Sequence, residues 1–183
     1  VRAFSATTTK EVICRKWLLL DLDPKRPSEI AATDAELEFA LRRRDEIRAK
    51  LDAEGWPAPI EMNSGNGAYL VYRIDLPVED GDLVKRVLAS LHYRFSDDQV
   101  KVDTSVYNPA RILRLAGTWN CKGDDTADRP WRRAEIVQIP SPATVVPRQL
   151  LEAIAVKVDF AGTKIQQPGL DVALIVKEHL PDA

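Results

Sequence analysis

Apolar positions along the chain fall into short runs with two different periods, and the first of them ends on acid. Trp17-Leu18-Leu19-Leu20-Asp21-Leu22-Asp23 predicts a buried strand closing on two carboxylates. Asp23-Pro24-Lys25-Arg26-Pro27 then stops it, because proline cannot continue a ladder. Thr33 followed by Glu36 is a capping-box signature, and Leu37, Leu41, Ile47 and Leu51 lie roughly along one stripe of the helix it opens, which stops near Gly55. Ile60 and the stretch Ala68 to Leu76 predict two strands around Asn63-Ser64-Gly65-Asn66-Gly67. Asp82 to Phe95 predicts a second amphipathic helix, with Leu83, Val87, Leu88 and Leu91 on its apolar side. Lys101-Val102-Asp103 predicts a short strand, Arg111 to Ala116 a longer one and Ala134 to Ile139 another, before a helix that begins at Pro147. Val158 to Gly169 has the pattern of a linker and Leu170 to Leu180 that of a final helix. The order mixes β and α with little strict alternation, which favours an α+β domain with helices over a mostly antiparallel sheet.

Composition narrows this. Of 183 residues, 45% are hydrophobic and 30% charged, the balance of one soluble globular domain with a sizeable core. No apolar run approaches the ~20 residues of a membrane span. The chain begins at Val1 and its single methionine is Met62, so we read it as a domain cut from a longer protein. Cys14 and Cys121 belong to no CxxC pair and are accompanied only by His92 and His179. That argues against a structural zinc site and fits a reducing, cytoplasmic setting. A formal net charge of −2 argues against non-specific duplex binding over the whole surface but leaves room for a local basic groove. Arg42-Arg43-Arg44 and Trp131-Arg132-Arg133 are its candidates, with solvated faces as the plainer alternative.

The candidate chemistry starts with Asp21 and Asp23. One residue apart on a strand, they point to the same face, and two adjacent carboxylates repel unless a cation stands between them. Mg²⁺ takes one or two carboxylates plus substrate oxygens; the alternative is a strand end whose aspartates cap a turn. Ser64-Gly65-Asn66-Gly67 directly precedes a strand, and successive backbone N–H groups in such a turn can cradle an anion, whereas Asn-Gly alone favours a plain hairpin. Asp103, at the end of a short strand, would be a third metal ligand. If Arg111 to Ala116 is a regular strand, Arg111 and Arg114 have opposite parity and at most one faces the metal side. Lys122 adds a mobile cation beyond it. Arginine and lysine aimed at a triphosphate neutralise the charge that develops in phosphoryl transfer.

In this order, carboxylate pair, glycine turn, third carboxylate and cations, the chain resembles the archaeo-eukaryotic primase superfamily, in particular the bifunctional primase-polymerase domains of phages, plasmids and other mobile elements. Trp17 to Pro27 is similar to the first motif of that family, Asn63 to Tyr72 to the second and Val102 to Lys122 to the third; the similarity covers roughly Arg15 to Pro140. The resemblance implies a two-layer α+β domain whose mixed sheet is RNA-recognition-motif-like, spanning residues 1–157, with 158–183 leading to a further domain. It implies a template-dependent nucleotidyltransferase, a DNA primase, DNA polymerase or both. Asp21, Asp23 and Asp103 would hold Mg²⁺ or Mn²⁺, and Ser64, Gly65, Gly67, Tyr69, Arg111, Arg114 and Lys122 would bind the triphosphate. The implied partners are a DNA template and primer, (d)NTPs and a helicase or other replication domain.

The sequence departs from the family most clearly where Tyr69 stands for a histidine of the second motif, and the family's strand upstream of the first motif is short or altered before Cys14. A phenol, with a reference pKa of ~10, hydrogen-bonds a phosphate oxygen but offers no imidazolium charge. A non-catalytic nucleotide- or nucleic-acid-binding module of the same fold is therefore the alternative. A phosphohydrolase with Asp21 as nucleophile is the weaker rival, because it needs Ser or Thr where this chain has Lys25.

Overall fold

Strand β1 (Cys14–Pro24) is the spine of the sheet, and its strict alternation divides the domain into two sides. Leu18, Leu20 and Leu22 are buried on one face, while Trp17, Leu19, Asp21 and Asp23 stand on the other. The computed structural model describes residues 7–155; the expected linker and final helix, within 158–183, lie outside the described residues. After β1 come α1 (Asp34–Ala53), β2 (Ile60–Asn63), β3 (Ala68–Pro77), α2 (Leu83–Phe95) and β4 (Val100–Val102). A hairpin of β5 (Trp119–Asn120) and β6 (Arg132–Arg133) follows, then β7 (Glu135–Gln138) and α3 (Arg148–Ile154).

The chain folds as an α+β domain: three α-helices, a five-stranded sheet in the order β4-β1-β3-β2-β7, and the separate hairpin. Every neighbouring pair in the sheet is antiparallel, which corrects the mixed sheet expected from the family resemblance. The reason is topological. Helices α1 and α2 each return the chain to begin a strand parallel to the one before it, but an antiparallel strand fills the gap: β3 lies between β1 and β2, and β1 between β3 and β4.

The helices cover one face only. Leu18, Leu20, Leu22, Leu70, Tyr72 and Ile74 from the sheet pack against Ile47 and Leu51 of α1 and Val87, Leu88 and Leu91 of α2, with Leu151 and Ile154 of α3 in the same cluster. Each fully buried leucine contributes about 1.5–3 kcal/mol, so this face supplies the hydrophobic stabilisation of the sheet. Thr33 and Glu36 form the expected capping box: Thr33 Oγ1 accepts from the Glu36 amide at 3.2 Å and Glu36 accepts from the Thr33 amide at 2.8 Å. Leu41 lies at the margin of the expected stripe, and Arg44 is buried on the helix's inner face, 3.6 Å from the Glu61 carboxylate. No helix among the described residues is long and apolar enough to cross a membrane.

One predicted element is absent. Arg111 to Ala116 is irregular, held by turns such as Arg111 N–H to Asn108 O and Thr118 N–H to Leu115 O. A strand needs a partner: β1, β3 and β2 already have one on each side, and the segment does not pair with the open edges of β4 and β7. The segment instead crosses the open face of the sheet, where Ala116 packs on the small cluster of Met62, Tyr69 and Val71.

Candidate functional site

The acidic end of β1 meets the β2–β3 turn and the β5–β6 hairpin in a cleft of about 270 Å³, lined almost wholly by polar groups. Asp21 and Asp23 form one wall, side by side as their spacing requires. Ser64, Asn66 and Tyr69 come from the turn and from β3. Arg26, Arg114, Asn120, Cys121 and Lys122 complete it. Carboxylates and cations thus face each other across a space large enough for a phosphate chain. Of the residues expected from sequence, the fold brings Asp21, Asp23, Ser64, Tyr69, Arg114 and Lys122 into this one cleft.

Charge is strained here. The Asp21 carboxyl is pushed up to about 8, chiefly by burial and then by the neighbouring charges of Asp23 and Asp103, against the opposing pull of Arg111 and Arg26. Such a carboxyl holds its proton near neutrality until a cation displaces it. Asp103 follows β4, and its amide donates to the Asp21 carbonyl at 2.8 Å. Its own oxygens accept from the Ser105 amide and hydroxyl, both at 2.8 Å, capping a 3-10 turn, and lie 3.6 Å from the Arg111 guanidinium. Among the described residues no group of three or more His, Cys, Asp or Glu side chains is arranged to hold a metal ion. The donor set that does fit is Asp21 and Asp23, which suits a hard cation completed by substrate oxygens and water better than an all-protein cage.

The loss of the expected strand at Arg111 to Ala116 also removes the parity argument. Both arginines lie on the acidic side of the sheet, Arg111 against Asp103 and Arg114 in the cleft, where its guanidinium donates to the Trp119 carbonyl at 2.9 Å.

The two glycines are present for close approach and do not line the cleft. A Cβ on Gly67 would lie 2.5 Å from the Leu22 carbonyl oxygen, so only glycine lets β3 start against the end of β1. Gly65, at φ +89°, would meet the Arg132 carbonyl at 2.8 Å, and its amide already donates to Asn63 Oδ1 at 2.8 Å. The turn is a hairpin, as Asn-Gly favours, closed by the Ser64 amide on the Gly67 carbonyl.

Tyr69 joins two parts of the site. Burial, and then the charge of Asp21, push its phenol up to about 12, against hydrogen bonds from the Arg114 backbone and the Ser64 side chain. The group is therefore a neutral tie between the 108–116 segment and the turn, with its ring packed on Met62 and Val71.

Sequence reasoning missed Arg26, Asn66 and Asn120. The buried Arg26 side chain reaches 3.6 Å from Asp23 and donates to the Ile30 and Pro24 carbonyls; its signal is the spacing Asp23-x-x-Arg26 just after the strand. Asn66 Oδ1 accepts from the Ala32 amide at 2.8 Å, while its buried Nδ2 has no hydrogen-bond partner. A buried donor left without an acceptor is uncommon in a folded protein. Asn120 Nδ2 donates to the Ser64 carbonyl and pins the hairpin to the turn.

The basic runs turn out to be mostly internal ties. In α1, Arg43 bonds Asp97 and the Phe95 carbonyl, and Arg44 pairs with Asp45 and Glu61. Arg132 binds Asp34 at 2.5 Å and the Ala32 carbonyl at 2.7 Å. Only Arg133 of the second run faces outward without a carboxylate in ion-pair range among the described residues.

A second hollow of about 560 Å³ adjoins the cleft through Arg114. It lies between the open sheet face and the 108–116 segment, with an apolar floor of Leu19, Ile60, Met62 and Val71. Compared with family models, with curated proteins and with solved structures, the chain gives no significant match.

Proposed function

We infer that this chain is a nucleotidyl-transfer domain of the primase-polymerase kind, joining nucleotides to a 3′-hydroxyl on a nucleic-acid template. One observation carries the reading: Asp21 and Asp23 share a polar cleft with Arg26, Arg114 and Lys122, on the open face of an antiparallel sheet. The order β1-α1-β2-β3-α2-β4, with strands arranged β4-β1-β3-β2, supports an RNA-recognition-motif-like core.

In this reading Asp21 and Asp23 would hold Mg²⁺ or Mn²⁺, which lowers the pKa of an attacking hydroxyl and neutralises phosphate oxygens. Arg114 and Lys122 bind the β- and γ-phosphates and stabilise the charge that builds on them as pyrophosphate leaves. Ser64 gives a neutral hydrogen bond to the same chain of oxygens, and Asn66 fixes the turn through the Ala32 amide. Asp103 acts from behind, adding negative charge at Asp21 and holding Arg111. The apolar hollow beside the cleft gives sugar and base a dry surface.

The second reading, a binding module without turnover, draws on Tyr69, a neutral group where the family carries histidine, and on Asp103, whose oxygens are already engaged. Primer extension on a short template with Mg²⁺ or Mn²⁺, with phosphatase release measured in parallel, separates the two. Extension that is lost in Asp21→Ala and Asp23→Ala supports the polymerase. Nucleotide binding without extension under either metal supports the module, and phosphate release alone would overturn both.

A further inference from the structure

The β5–β6 hairpin has two sides, and the cleft uses only one of them. Asn120 and Arg132 are cross-strand partners that point inward, to Ser64 and to the start of α1. Alternation turns the other pair, Trp119 and Arg133, outward. Trp119 is 56% exposed, unusual for an indole, and the Arg133 guanidinium lies over its ring at 5.9 Å from the centroid.

This pair is held in place. Arg133 gives two hydrogen bonds to the Gly117 carbonyl, at 3.1 and 2.9 Å, and the Trp119 carbonyl receives Arg114. The hairpin itself is tied to α1 by Arg129, which binds Glu36 through both nitrogens and also the Ala31 carbonyl. No carboxylate among the described residues stands within ion-pair range of Arg114, Lys122 or Arg133. A rigid, exposed indole bordered by uncompensated cations, on the same hairpin as the phosphate-facing Lys122, is complementary to a polyanion that carries flat apolar bases.

We propose that the outward face of the β5–β6 hairpin, Trp119 with Arg133, is a stacking platform for single-stranded nucleic acid passing the cleft. This rests on the polymerase reading and supplies the template path that reading lacks. A base lies on the Trp119 indole, and Arg133 meets the adjacent backbone phosphate. Stacking on an indole accepts any base, so the platform binds without sequence preference.

The test is anisotropy of a labelled oligothymidylate over a range of salt, with calorimetric titration of a nucleotide and Mn²⁺ on the same proteins. Melting curves control for folding. Trp119→Ala is expected to weaken oligonucleotide binding about tenfold, and Trp119→Phe to restore most of it. Arg133→Gln should reduce the slope of log affinity against log salt by about 0.7, one phosphate contact to a single strand. Nucleotide affinity should hold in all three. Oligonucleotide binding that is absent in the parent protein, or unaltered in Trp119→Ala, overturns the platform. Loss of the nucleotide reading shows separately: the parent protein would fail to bind nucleotide and Mn²⁺ while its oligonucleotide binding still depended on Trp119.

Discussion

Asp21 and Tyr69 are direct partners across the β1–β3 ladder, so the acid most affected by its neighbours stands beside the least ionisable phenol of the cleft. The charge of Asp21 raises the phenol's cost of ionising, and the phenol remains a neutral tie to Ser64 and the Arg114 backbone.

Tyr69→Phe therefore keeps the packing on Met62 and Val71 and removes only the tie. Stability should fall by about 1 kcal/mol, the net worth of an ordinary hydrogen bond. Because the 108–116 segment loosens, the nucleotide KM should rise severalfold. Thermal melts and steady-state kinetics check this; an unaltered KM would show that the tie does not position Arg114.

Asp21→Asn tests the raised carboxyl. An acid whose folded pKa lies above its unfolded value binds its proton more tightly when folded. Its contribution to stability therefore declines as pH rises from about 4 toward 8. Without metal, the variant should melt above the parent protein at pH 8 and equal to it near pH 4. Each kcal/mol recovered corresponds to roughly 2–4 °C. Mn²⁺ should raise the parent protein's melting temperature at pH 8 and leave the variant unmoved, with metal affinity in the parent rising with pH as Asp21 gives up its proton.

Gly67→Ala should be among the most damaging small substitutions in the chain. Its Cβ would press on the Leu22 carbonyl, backbone that cannot swing aside, at 2.5 Å. Overpacking of this kind costs about 1–3 kcal/mol or more and displaces the strand that carries Asp21 and Asp23. Chemical denaturation should show the loss, and metal binding should weaken with it. Gly81→Ala, with nothing within 4 Å of the added carbon, should cost only the strain of its positive φ, about 1–2 kcal/mol, and leave metal binding unchanged.

Arg129→Ala should loosen the hairpin from α1. The pair with Glu36 is doubly hydrogen-bonded, so its loss should lower the melting temperature and raise the nucleotide KM through Lys122. Lys122→Ala should raise the KM as well, with no change in melting temperature. The contrast distinguishes a residue that holds the hairpin from one that binds through it.

The local elements were legible in the sequence because their signals are local. Alternation about Leu18, Leu20 and Leu22 gave β1 its two faces, Thr33 with Glu36 opened α1, and Asn66-Gly67 made the turn between β2 and β3. The side-by-side placement of Asp21 and Asp23 followed from strand period alone. Tertiary structure decided what depends on partners. Arg111 to Ala116 has the composition of a strand, but the segment lies across the sheet face instead of along the edge of β4 or β7, so Arg111 and Arg114 reach the acidic side together. Arg26 and Asn66 entered the cleft through contacts 40 and 34 residues apart in sequence, with the Asn66 carbonyl and the Ala32 amide. Arg132 and Arg133, adjacent in sequence and alike in chemistry, were separated by hairpin pairing: one ties the fold together and the other faces solvent. Period is a property of the chain, but whether a charge is paired or exposed depends on what the fold brings within about 4 Å of it.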